Sequence, residues 1–226
     1  MRLSVLYSGG KDSTLALMKA REFHTIVCLI TLVSENKESY LFHTPNIDVT
    51  RLQAEAMQLP LIRVVTKGEK EKEVTDLKKA VAEAKNKYNI EGVVTGAVRS
   101  TYQASRIQHV CHELGLWCFN PLWLKDQVEL LNEVVEEKIH AIIGGVFAEP
   151  LDASYLGKKI TLSMVEKLAG IASSHHINPA GEGGEIETTV LDAPVFKKRI
   201  SVKKHSASYR KHAGIWQILE AELVNK

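Results

Sequence analysis

The hydrophobic positions in the first half of the chain fall into short apolar runs separated by stretches of helical spacing. Leu3, Val5 and Leu6, then 26–33, 61–65 and 92–95, are compact runs rich in β-branched residues, the pattern of buried strands. Between them, 12–23, 47–57 and 74–88 set apolar residues at helical intervals. Strand–helix–strand alternation predicts right-handed βαβ units and a parallel sheet covered on both faces, an α/β, Rossmann-like arrangement. The segment 34–46 has neither period and reads as a loop, long enough to suspect a binding role.

The pattern continues with a helix over 99–114 and a short strand at Trp117–Phe119, stopped by Asn120-Pro121. A domain boundary is placed here, giving a larger domain over 1–123 and a smaller α+β domain over 124–226. The second part reads as a helix over 126–137, a strand at His140–Val146, a helix over 162–173, and strand-rich basic sequence to the end.

Composition changes this picture little. The 226 residues are 45% hydrophobic and 25% charged, ordinary globular material for one large core or a main domain with a smaller one. A formal charge of +2 gives no reason to expect direct nucleic-acid binding. Cys28, Cys111 and Cys118 form no CxxC pair, which argues against a disulfide framework. The N-terminus lacks the basic and apolar regions of a signal peptide, and no apolar run nears the roughly 20 residues that span a bilayer. The expectation is a cytoplasmic protein without membrane contact; a homo-oligomer is compatible with the sequence.

The candidate chemistry lies where the first strand meets the first helix, at Ser8-Gly9-Gly10-Lys11-Asp12-Ser13. A glycine pair in that position lets backbone N–H groups turn around an anion, backed by the unsatisfied amides and dipole of the helix N-terminus. Ser8 and Ser13 offer hydroxyl donors and Lys11 a positive charge. Asp12 would be repelled by a bare phosphate, so it belongs on a metal ion or on the N–H groups that shape the loop. Phosphate with Mg2+ is the economical reading; a plain helix cap is the bland one. The G-x-x-x-x-G-K-[ST] and G-x-G-x-x-G loops are both absent here.

Ser8, Gly9, Gly10, Asp12 and Ser13 match the S-G-G-x-D-S signature, and the chain here resembles the N-type ATP pyrophosphatases, or PP-loop enzymes. That resemblance implies an adenine-nucleotide α-hydrolase-like fold and ATP as co-substrate. The loop from Ser8 to Ser13, with Gly96, would then hold the nucleotide, and Lys11, Asp12 and Ser13 would be catalytic. It also implies attack on the α-phosphate by a substrate oxygen, loss of pyrophosphate, and displacement of AMP by a second nucleophile.

Further segments narrow the acceptor. GAVRSTYQASR, starting at Gly96, follows the strand at 92–95, so Arg99, Ser100 and Tyr102 are expected at the carboxyl edge of the sheet, where open α/β sheets bind ligands. Gly181, Glu182, Gly183, Gly184, Glu185 and Glu187 crowd into a stretch that favours neither helix nor strand. With Pro121-Leu122-Trp123 and Leu156-Gly157-Lys158, these motifs resemble the diphthine–ammonia ligases across nearly the whole chain, with Ile186 where the family pattern has Phe. This implies amidation of diphthine on translation elongation factor 2 with ammonium. The three glutamates would hold the cationic acceptor, and Tyr102 or Trp123 would supply an aromatic face for it. A magnesium site and a solvated acidic turn stay open for the same glutamates.

Other readings remain. A tRNA thiolase of the PP-loop class would want a reactive cysteine pair, which the spacing of Cys111 and Cys118 does not supply. A non-catalytic nucleotide sensor would carry its glycine motif late in the domain. His109, Cys111 and His112 lack the second ligand pair of a zinc site. The basic stretch with Lys197, Lys198, Arg199, Lys203, Lys204, Arg210 and Lys211 fits a docking patch or a lysine-protected edge strand equally well.

Overall fold

A computed structural model of the protein describes residues 1–35, 45–67 and 72–226. Most of the predicted 34–46 loop therefore lies outside the described residues. The chain runs β1 (Arg2–Leu6), α1 (Lys11–Phe23), β2 (Thr25–Ser34), α2 (Thr50–Met57), β3 (Leu61–Thr66), α3 (Lys72–Tyr88), β4 (Gly92–Val94), α4 (Thr101–Glu113), β5 (Trp117–Phe119), α5 (Gln127–Glu136), β6 (His140–Val146), α6 (Leu162–His175), β7 (Ile186–Asp192), β8 (Lys198–Arg210) and β9 (Ala213–Asn225). A short 3-10 turn, Ile47–Val49, leads into α2 and takes the first part of the helix expected there. Ser100 caps α4 by accepting from the Gln103 N–H at 3.3 Å, which moves the start of that helix past Arg99.

β1 to β5 form a five-stranded sheet in the order β3-β2-β1-β4-β5, every pair parallel. One face buries Cys28, Ile30, Leu32, Ile62 and Val93 against Leu77, Val81, Ile107 and Val110 of α3 and α4. The other face carries Leu3 and Val5 onto α1. β6 to β9 form a four-stranded antiparallel sheet in the order β7-β6-β9-β8. The predicted α/β fold with a smaller α+β part is what the structure shows.

Helix α1 lies between the sheets. Leu15, Ala16, Leu17 and Ala20 share one buried cluster with Leu3 and Val5 of β1 and with Ile186 and Val190 of β7. The proposed division after residue 123 falls between the sheets, and that apolar cluster spans it. The N-terminus of α1, carrying the candidate phosphate loop, is thus pressed against the second sheet. β8 is an edge strand, with every residue from Lys203 to Arg210 exposed. Among the described residues no helix is long and apolar enough to cross a membrane.

Candidate active site

The loop from Ser8 to Ser13 leaves the carboxyl end of β1 at the centre of the parallel sheet. Gly9 has φ +82° and its carbonyl accepts from the Val190 N–H of β7 at 2.9 Å. Gly10 is the N-cap of α1 in an extended conformation. Its carbonyl is gripped by the Thr14 hydroxyl at 2.9 Å and the Ser13 hydroxyl at 3.2 Å. The Tyr7 hydroxyl meets that of Thr14 at 3.1 Å, fully buried, and burial pushes the Tyr7 phenol well above its ordinary range. Ser8 and Ser13 face each other with their hydroxyls 3.2 Å apart.

Lys11 is the pivot. Its side chain is only 3% exposed, and Nζ donates to Asp12 Oδ2 at 2.8 Å and to the Ala180 carbonyl at 2.6 Å. Its backbone N–H donates to Thr188 Oγ1 at 3.1 Å. The loop is therefore fastened to the second sheet from two directions. The other oxygen of Asp12, Oδ1, is buried and has no partner among the described residues. A carboxylate oxygen left in that condition is what an incoming cation would satisfy. Gly96, just past β4, backs onto the start of α1. A Cβ there would stand 2.7 Å from the Ser13 nitrogen, so only glycine lets the strand end and the helix end meet.

The glycine–glutamate stretch before β7 is a built turn. Gly181 has φ +83°, and a Cβ there would reach within 2.3 Å of the Ile186 carbonyl oxygen; its glycine shapes the turn itself. Glu185 is spent inside it. Oε1 accepts from the Asn178 N–H at 2.9 Å and Nδ2 at 2.8 Å, and Oε2 accepts from the Gly183 N–H at 2.8 Å. Glu182 accepts from the Arg99 N–H at 3.0 Å and joins the two sheets' loops. Glu187 turns toward Lys11 and Asp12. Burial pushes Glu187 up to about 7, and the charges of Asp12 and Glu182 reinforce the shift against the opposing Lys11. Burial and Asp12 also raise Glu182.

These parts enclose a cleft of about 730 Å³. Ser8, Gly10, Lys11, Asp12, Ser13, Gly96, Ser100 and Tyr102 line one side, with Gly181, Glu182, Gly183, Gly184 and Glu187 facing them. Leu6, Ile30, Leu32 and Ile107 give the sheet side an apolar floor; Ile47, Phe147, Ile186 and Ile215 do the same toward the second sheet. Three of the expected residues do not line this cleft. Arg99 is exposed and outside the lining, in the irregular segment between β4 and α4, where its backbone N–H and not its side chain meets Glu182. Glu185 is consumed by its own turn and does not line the cleft. Trp123 is 36% exposed and sits elsewhere, which leaves Tyr102, with Arg106 stacked 3.6 Å from its ring centre, as the aromatic wall. Gly9 lies beneath the lining.

Residues 1–118 match the family model for the diphthamide synthase N-terminal domain, and 126–224 match that for the diphthamide synthase C-terminal domain. The chain belongs to the diphthamide synthase family. A diphthine–ammonia ligase of Mus musculus is 37% identical over 92% of this chain and 85% of its own length. One of Schizosaccharomyces pombe is 38% identical over 88% of this chain, which spans only 36% of that longer relative. A solved structure, a predicted subunit of a tRNA methyltransferase from Methanocaldococcus jannaschii, aligns over 86% of this chain and 98% of its own at 16% identity with a TM-score of 0.45.

Within this member of the diphthamide synthase family, Cys111 packs in the α3–α4 cluster with Cys118 against it, and neither lines the cleft. The sequence reading missed Gln53 of α2, Thr188 of β7, the Ala180 carbonyl, and the pair Gln127 and Asn178, joined at 2.7 Å, which hold the turn. No local motif marks them. Their one signal is polarity inside an apolar pattern, as at Gln53, which is 0% exposed.

Proposed function

We propose that this chain amidates diphthine on translation elongation factor 2, using ATP and ammonium and releasing AMP and pyrophosphate. One observation carries the reading: a glycine-rich loop at the end of the central strand, bolted by Lys11 to the second sheet, closes the polar end of a cleft roomy enough for nucleotide and acceptor together. Ser8, Gly10, Lys11 and Ser13 take the pyrophosphate end of ATP. The apolar floor of Leu6, Ile30, Leu32 and Ile107 suits the base. The diphthine carboxylate attacks the α-phosphorus, and the loop stabilises the charge that grows on the departing pyrophosphate. Ammonia then attacks the acyl carbon and AMP leaves.

Asp12 would hold Mg2+ through its unpartnered Oδ1, and no set of three His, Cys, Asp or Glu side chains among the described residues could hold an ion on its own. One protein carboxylate completed by phosphate oxygens is how this cation is commonly held with nucleotides. Its chemistry there would be to neutralise phosphate charge. Glu182 and Glu187 line the cleft opposite the loop, and the quaternary ammonium of diphthine, on arriving there, would favour the ionised forms that burial disfavours. Tyr102 offers that cation a ring face.

The test is to incubate the protein with ATP, ammonium and diphthine-bearing elongation factor and weigh the factor. The expected mass change is that of a hydroxyl replaced by an amino group, matched by AMP and pyrophosphate in the supernatant. An unmodified factor, or ADP in place of AMP, overturns the proposal.

A further inference from the structure

Gln53 lies on α2, behind the phosphate loop and outside the cleft, and is completely buried. Both protons of its amide are used: Nε2 donates to the Gly9 carbonyl at 3.0 Å and to the Val190 carbonyl at 2.7 Å. Its own carbonyl, Oε1, has no partner among the described residues. A buried amide with an orphan oxygen is a poor choice for packing alone, since an apolar side chain of the same shape would avoid the penalty. A Cβ on Gly9 would come within 2.5 Å of that same Oε1, so Gln53 occupies the space that the glycine leaves open.

The Gly9 carbonyl thus receives two donors, the Val190 N–H and the Gln53 amide, from residues that do not line the cleft. The Gly9–Gly10 peptide is trans, and in a planar trans peptide the C=O and the N–H point in opposite directions. Pinning the oxygen backward therefore turns the Gly10 N–H forward. Gly10 lines the cleft, and its N–H has no partner among the described residues. Without the pins a peptide between two glycines flips at little steric penalty, because neither residue restricts φ. A flipped peptide would present a carbonyl oxygen to the cleft and repel an anion.

We infer that Gln53 is a positioning residue: it locks the Gly9–Gly10 peptide so that the Gly10 N–H is a fixed donor to the pyrophosphate end of the nucleotide. The inference rests on the proposed nucleotide reading of the cleft and adds to it a residue that touches no ligand. Fixing a donor before the reaction is worth most where charge develops. The role should therefore show in the chemical step and not in ground-state affinity.

The experiment follows the Gly10 amide resonance of the isotope-labelled protein as inorganic pyrophosphate and magnesium are added, in wild type and in Gln53→Met. Gln53→Leu repeats the test should the first variant be unstable. Wild type is expected to show a saturable shift at Gly10, and the variant a shift several-fold smaller. In the amidation assay the variant should lose about 10–100-fold in kcat, with KM for ATP changed by less than about threefold. A silent Gly10 in wild type would sink the nucleotide reading of the loop. An equal Gly10 shift in wild type and variant, or a loss confined to KM, would overturn the positioning role alone.

Discussion

Lys11 and Ala180 are separated by most of the chain, yet the lysine ammonium donates to the alanine carbonyl at 2.6 Å inside the protein. Through that bond the loop after β1 and the turn before β7 become one wall. The same ammonium holds Asp12 Oδ2, so the charge facing the cleft is set by a pair and not by the lysine alone. Lys11 also opposes the rise in Glu187. Charge on the loop after β1 and charge on the turn before β7 therefore meet at one side chain.

Replacing Asp12 with Asn keeps the shape of that pair and removes its negative partner. ATP turnover should fall by at least about 100-fold, because the loop acts on charge formed only as pyrophosphate departs. The folded state should lose about 1–3 kcal/mol, since Lys11 stays buried with a weaker acceptor. AMP release and denaturant unfolding check the two parts separately.

Glu187 gives a pH dependence of stability. Its carboxyl titrates near 4.5 when unfolded and at about 7 in the fold, so between those values the native state keeps a proton that the unfolded chain has released. Stability must then fall as pH rises through that window and level off above it. Glu187→Gln removes this slope and should stabilise the protein at pH above about 7 by roughly 1–3 kcal/mol, with little effect at about pH 4. Urea unfolding at both ends of the window, without added metal, reads the difference. An unchanged slope would mean that Glu187 is an ordinary surface carboxylate.

The glutamates of the turn should separate by role. Glu185→Gln loosens its bonds to Asn178 and Gly183 and should weaken the turn by about 1–3 kcal/mol, seen as faster amide exchange across 178–187. Glu182→Gln keeps the turn and should weaken capture of the diphthine-bearing factor while ATP affinity hardly moves. Titration calorimetry with each ligand distinguishes them. Loss of magnesium–ATP binding with acceptor binding intact would move Glu182 to the metal side.

The β8–β9 hairpin closes through Lys211 and His212, both left-handed at φ 51° and 62°. That is the two-residue turn for which Asn-Gly is preferred, and neither native residue favours it. Lys211→Asn with His212→Gly should stabilise the protein by about 0.5–1 kcal/mol, measured as a rise in unfolding midpoint.

The sheet and its helices were legible because period and β-branching are local signals, and the strand-to-helix loop from Ser8 to Ser13 because its residues are contiguous. The α/β class and the strands through Trp117–Phe119 follow from those alone. Gln53, Thr188 and Ala180 were not legible, since each acts on the loop from a distant part of the sequence and only the docking of α1 between two sheets brings them near. Arg99 and Glu185 were expected in the cleft and lie outside its lining. Their charge suggested a ligand, whereas exposure at Arg99 and hydrogen bonding within a turn at Glu185 are settled by tertiary structure.

The central claim is that an acceptor carboxylate attacks the α-phosphorus of ATP in this cleft. The most direct measurement labels the diphthine carboxylate with heavy-isotope oxygen, runs the reaction with ATP and ammonium, and weighs the nucleotide product. The account predicts one labelled oxygen in AMP and none in pyrophosphate. Unlabelled AMP, or label in inorganic phosphate beside ADP, would contradict it.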